Sequence, residues 1–216
     1  MKRLYIFFEI LFFFLICAFI IIPPFFTPRI TDISQVFNWT FPWAQAGLAV
    51  FCLVLYCFTR KIFCSQKKIF YPSMLCLAIL ICSALILKFI SAKTGGSTAL
   101  PTKKFLPQTT SEGIFCFLTF LFGAVYEEII YRYYFTDALK RLLGYTKIPD
   151  GRVTFFITEG LGLLVFAFAH LYMGPLSVIN AAVAHVVLRV LYKKTGLIWN
   201  GVLIHFVFNI ISLILL

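Results

Sequence analysis

Glu127, Glu128 and Arg132 put three ionisable side chains within six residues of a run that otherwise reads as lipid-embedded helix. Each such group near the centre of a spanning helix costs roughly 2.5–3.5 kcal/mol on insertion scales, so it persists only where a partner or a hydrated cavity compensates it. Residues four apart on a helix share a face, while neighbours are turned by about 100°. Glu128 and Arg132 are therefore expected to pair as supporting residues, with Glu127 pointing elsewhere. The same spacing places Phe166 with His170, and His205 with Asn209. One free carboxylate, two imidazoles and a carboxamide can together hydrolyse a peptide bond. Glu127 can act as the general base, taking a proton from water and returning it to a leaving amine. His170 can bond and orient the same water, while His205 and Asn209 can donate to the oxygen of a tetrahedral intermediate.

Such residues need membrane helices to carry them, and the composition supplies these. Of 216 residues 62% are hydrophobic and 12% charged, with 27 phenylalanines, which excludes an ordinary soluble domain. Seven windows are long and apolar enough to span: Tyr5–Ile22, Trp39–Thr59, Ile69–Ile90, Gly113–Phe135, Val153–Met173, Leu176–Tyr192 and Leu197–Leu216. The fold expected is all-α, a polytopic integral membrane bundle of about seven transmembrane helices with its catalytic core in the C-terminal four. Residues 1–90 would form accessory N-terminal helices, 91–112 a basic loop containing Gly95, Gly96, Pro101 and Pro107, and 113–216 the core. The first window follows Lys2 and Arg3 but is too long for a signal peptide and has no small-residue cleavage site, so a retained anchor is expected. Helical patterning after Tyr126 runs on through Lys140 and Arg141 until Gly144 offers a stop. At about 1.5 Å per residue, Glu127, His170 and His205 lie roughly 20, 27 and 17 Å from the basic residues that end their helices on one face.

The charge of +11 follows mainly from topology. Lys2, Arg3, Arg60, Lys61, Lys67, Lys68, Lys140, Arg141, Lys147, Arg152, Lys193 and Lys194 all fall on one side if seven spans alternate, against Arg29, Lys93, Lys103 and Lys104 on the other. The richer side is expected to be cytoplasmic, which places the N-terminus in the cytoplasm and the chain in the cytoplasmic membrane. Anionic lipid headgroups account for this basicity, and no aromatic-basic cluster suggests nucleic acid. Cys17, Cys52, Cys57, Cys64, Cys76, Cys82 and Cys116 show no paired spacing and read as packing residues.

Glu127-Glu128-x-x-x-Arg132, Phe166-x-x-x-His170 and His205-x-x-x-Asn209, in that order, resemble the three motifs of the CAAX-processing and bacteriocin-processing (CPBP) intramembrane proteases. The stretch Tyr192 to Trp199 before the last histidine is also similar, and the resemblance extends from about Gly113 to the C-terminus. Tyr133 stands where glycine is common in that family. The resemblance implies a glutamate-dependent, metal-free membrane endopeptidase with a four-helix catalytic core that opens towards the cytoplasm. Glu127 and His170 would activate water, His205 and Asn209 would form the oxyanion site, and Glu128 and Arg132 would support them. Its substrate would be a membrane-associated peptide or protein tail: a CAAX-type tail, a bacteriocin-type leader or a signalling precursor.

The same residues admit other readings. Glu127, His170 and His205 are a common zinc ligand set, which makes zinc the alternative cofactor, although no His-Glu-x-x-His helix is present. A non-catalytic immunity or scaffold protein of the same fold, or a proton-coupled transporter, could hold an intramembrane acid as well. His185 matches no motif and is expected to be structural or at a cavity rim. Glu159 is expected to contact Arg132, and Glu9 to stand unpaired near the headgroups.

Overall fold

Thr109 opens the helix that carries the two glutamates. Its hydroxyl accepts from the Glu112 amide at 3.2 Å, and the Glu112 carboxylate accepts from the Thr109 and Gln108 amides at 3.3 and 2.6 Å, a reciprocal cap on otherwise unpaired donors. The computed structural model describes residues 2–29, 40–59, 69–93, 106–146, 148 and 151–215. Arg60, Lys61, Lys67, Lys68, Lys103, Lys104, Lys147, Cys64, Trp39, the Gly95-Gly96 pair and most of the 91–112 connection lie outside them.

Among the described residues every regular element is helical. Helix α1 (Lys2–Ile16) runs on through a wide turn, Cys17–Ile21, and a short tight one, Pro23–Phe26. Helices α2 (Trp43–Thr59) and α3 (Phe70–Lys93) follow. Then α4 (Thr110–Glu127), a π-helical segment (Glu128–Tyr134) and α5 (Phe135–Leu143) make one continuous rod, closed at Gly144 as the sequence predicts. The rod has 34 residues, about 51 Å at 1.5 Å each, which exceeds the roughly 30 Å hydrocarbon core and carries α5 beyond it. Helix α6 (Arg152–Phe168) leads through a short turn, Leu171–Met173, to α7 (Pro175–Thr195) and α8 (Ile198–Leu215). Pro175 at the first turn of α7 and Gly196 past its end, at φ 71°, are the residue types those positions favour.

Five of these helices are long and apolar enough to cross a bilayer, and α2 and α8 are shorter apolar ones, so the chain is a multi-pass helical membrane bundle. Phe8, Phe14, Phe58, Phe89 and Phe156 face outward, where lipid takes the place of a soluble protein's polar shell. Inside, α4 packs on α2 and α8, α7 on α3, α6 and α8, and α5 on α6. The buried core includes Ala124, Val125, Ile129, Ile130, Phe166, Ala181, Ile198 and Val202. The six described cysteines are free.

Helix α1 is tied to the overshooting α5. Glu9, expected to stand alone, accepts from Arg141 Nε at 2.6 Å and from the Tyr145 hydroxyl at 2.8 Å. That partner is 132 residues away in the chain and is brought to α1 by the length of the α4–α5 rod. The bond to Glu9 stabilises the protonated phenol and raises the Tyr145 pKa.

Candidate active site

The π segment begins at Glu128, and at its end the Phe135 amide bonds five residues back to the Ile130 carbonyl. A turn of this kind is wider than an α-turn and often marks a functional position. Every residue from Glu128 to Tyr134 is buried, and Glu128 and Arg132 are both 0% exposed. The predicted pair is present, with Arg132 Nη1 3.1 Å from Glu128 Oε1. The Arg132 guanidinium carbon lies 3.7 Å from the centre of the Phe166 ring, a cation–π contact on its flat face. Phe166 thus supports Arg132 and has the Tyr131, His170 and His185 rings at 5.1, 4.7 and 5.6 Å.

His205, on α8, joins the two glutamates. Its Nδ1 is 2.8 Å from Glu128 Oε1, and its Nε2 is 3.8 Å from Glu127 Oε2. The sequence expectation that neighbouring glutamates point apart holds for their direct partners, yet both carboxylates border one imidazole. Glu127 Oε2 is buried and has no hydrogen-bond partner in the protein, while the side chain as a whole keeps 16% of its surface open.

His170 does not lie on a helix with Phe166, as the four-residue spacing suggests. Helix α6 ends at Phe168, and His170 occupies the turn beyond it at φ −99° and ψ 7°. There its Nδ1 bonds the Phe166 carbonyl oxygen at 2.9 Å. A carbonyl can only accept, so Nδ1 carries the proton and Nε2 keeps a lone pair. The ring lies within electrostatic range of Glu127, Arg132 and His205. Asn209 is half-buried one turn beyond His205 on α8.

One expectation changes. Glu159 pairs with Arg189, through bonds of 2.9 and 3.0 Å, and with Lys193 at 2.6 Å, whereas Arg132 is committed to Glu128. The expected Arg132–Glu159 contact is therefore replaced by one with Arg189, because α7 lies beside α6 and presents its arginine there. Among the described residues no group of three His, Cys, Asp or Glu side chains is gathered closely enough to hold a metal ion as placed. His185 is 2% exposed, with its ring against Phe166, so it sits in the core and not at a rim.

Sequence reasoning missed Gly201. A Cβ built on it would meet Glu128 Oε2 at 2.8 Å, closer than real Cβ atoms come. Only a hydrogen at this position lets α8 approach the buried carboxylate. The signal was there in Gly201-x-x-x-His205, a small residue on the same helical face as a site histidine. Gly201→Ala should therefore push Glu128 off His205 and lower activity by about ten-fold or more. A side-by-side rate measurement on the two folded proteins tests this, and equal rates would refute it.

Comparisons with curated proteins and with solved structures gave no match. Residues 109–211 match the family model described as type II CAAX prenyl endopeptidase Rce1-like. The match begins at the Thr109 cap and encloses Glu127, Glu128, Arg132, His170, His205 and Asn209. Over these residues, just under half of its length, the chain is similar to the Rce1-like family of CAAX-type membrane proteases.

Proposed function

We propose that the chain is an intramembrane endopeptidase that cleaves a membrane-associated peptide or protein tail of the CAAX type, using Glu127 and His170 to activate water. The observation that carries this reading is the meeting of groups from separate helices: Glu127 Oε2, buried and without a protein partner, 3.8 Å from His205 Nε2. Water placed between Glu127 and the His170 Nε2 lone pair gives a proton to the carboxylate as its oxygen attacks the scissile carbonyl carbon. Asn209 donates to the oxyanion that forms, and His205, whose Nδ1 proton goes to Glu128, joins it from Nε2 when the ring carries its second proton. Glu127 then passes the proton to the leaving nitrogen as the C–N bond breaks. Glu128 and Arg132 hold His205 in place.

In this reading the reaction needs no metal. Residues 113–216 are the working unit, and 1–90 are accessory helices beside it. The basic end bearing Lys140, Arg141, Arg152, Lys193 and Lys194 faces the cytoplasm, following the general bias of such loops.

The test uses the purified full chain in liposomes and a farnesylated CAAX peptide, with products read by mass spectrometry. Release of a C-terminal fragment, unchanged after exhaustive dialysis against EDTA and 1,10-phenanthroline, is the expected result. Intact peptide under all conditions would refute the activity. Loss on chelation with recovery on adding zinc would refute the metal-free mechanism.

A further inference from the structure

Arg189 sits on α7 with its side chain 8% exposed, and it makes contacts on three sides. Its Nε and Nη2 grip both Glu159 oxygens on α6, at 3.0 and 2.9 Å. Nη2 also stands 3.5 Å from Asp137 Oδ1 on α5. Its Nη1 donates to the backbone carbonyl of Arg132, inside the π segment. The Thr136 hydroxyl reaches the same carbonyl at 3.5 Å.

A π turn departs from the regular ladder, so its carbonyls depend more on outside donors than those of a plain helix do. The donor here is charged, which makes the bond one of the stronger kinds. The same residue, Arg132, uses its side chain to hold Glu128, which holds His205, which borders Glu127. A continuous polar path therefore runs from Glu159, half outside the core, to the carboxylate given the role of base.

We propose that Arg189 is a positioning residue for the hydrolysis: anchored by Glu159, it clamps the wide turn at the Arg132 carbonyl and so fixes the separation of Glu127, Glu128 and His205. This rests on the proposed peptidase activity. Only a guanidinium suits the place, since a planar fork can serve a carboxylate with two nitrogens and a carbonyl with the third. An ammonium on a lysine stem would keep the charge beside Glu159 but could not span both partners.

The test compares Arg189→Lys, Glu159→Gln and Glu127→Gln with the parent chain, each as full-length protein in liposomes with the farnesylated CAAX peptide. For Arg189→Lys the expected result is a kcat lower by about ten- to a hundred-fold, the scale of an ångström-sized misplacement, with KM nearly unchanged and a folded protein at the assay temperature. Glu159→Gln loosens the anchor without removing the clamp, so a smaller fall in kcat, about three- to ten-fold, is expected. It decides the matter should Arg189→Lys fail to fold. Parental kcat in folded Arg189→Lys, or in Glu159→Gln where the first does not fold, overturns the proposal. So does a change confined to KM or to thermal stability. If those variants match the parent while Glu127→Gln is inactive, this inference alone has failed. If Glu127→Gln still cleaves, the peptidase site and the clamp both fall.

Discussion

Glu127→Gln is expected to lower peptide cleavage by about a hundred- to ten-thousand-fold, the usual contribution of a positioned general base. Glutamine keeps nearly the same shape and polarity but cannot take up the proton that water must lose. The parent side chain bonds the Tyr126 side chain and stands 3.8 Å from His205 Nε2, with its Oε2 without a hydrogen bond in the protein, and a glutamine of the same shape can keep these contacts. Thermal stability should therefore stay close to that of the parent, which separates a chemical defect from misfolding. Rates on the farnesylated peptide, measured with the melting temperature in the same liposomes, check both halves. Cleavage at a parental rate would remove Glu127 from the mechanism. Survival of the biological effect of the chain in a variant that no longer cleaves would favour a scaffold role.

Arg132→Met should act mainly on stability. It leaves the Glu128 carboxylate at 0% exposure without its arginine, and breaking a buried pair from one side costs about 3–5 kcal/mol. It also removes the cation from the Phe166 face, where the parent guanidinium lies 3.7 Å from the ring centre. The variant should melt well below the parent in the same detergent. Adding Glu128→Gln removes the stranded charge, so the double variant should regain much of the loss while remaining a poor enzyme, because His205 loses its charged partner. If the single variant were as stable as the parent, the Glu128–Arg132 pair would not be holding the buried carboxylate as described above.

Much of this site was legible in the order of its residues, and what was hidden has a common cause. The apolar helices, five of them long enough to span, the stop at Gly144 and the Glu128–Arg132 pair follow from apolar length, a helix breaker and four-residue spacing, all of which are local. The same arithmetic placed His170 on a helix, because nothing in Phe166 to Tyr172 breaks the pattern and the Gly174-Pro175 signal comes later. Partners on other helices depend on how each rod is rotated, which local spacing does not encode. Local spacing therefore gives Glu9 no partner and offers Arg132 to Glu159, whereas the rotated helices supply Arg141 and Arg189. The π segment is hidden for a further reason: counting by 100° per residue assumes the very turn that it alters. Gly201 could be seen only as a small residue near His205, since the need for it arises from a carboxylate on another helix.

The wide turn has a bearing on how this chain can diverge over time. A π segment accommodates one residue more than the α-turns on either side, the mark of an insertion retained within a helix. Losing a residue there would restore a uniform spiral and swing everything after it through about 100°. Asp137 would leave Arg189, and Arg141 would leave Glu9, whichever amino acids remained. Drift in residue type is cheap over the greasy exterior, but between Ile129 and Tyr134 the register itself is under constraint, so relatives that work by the same layout should differ there by replacement and not by length.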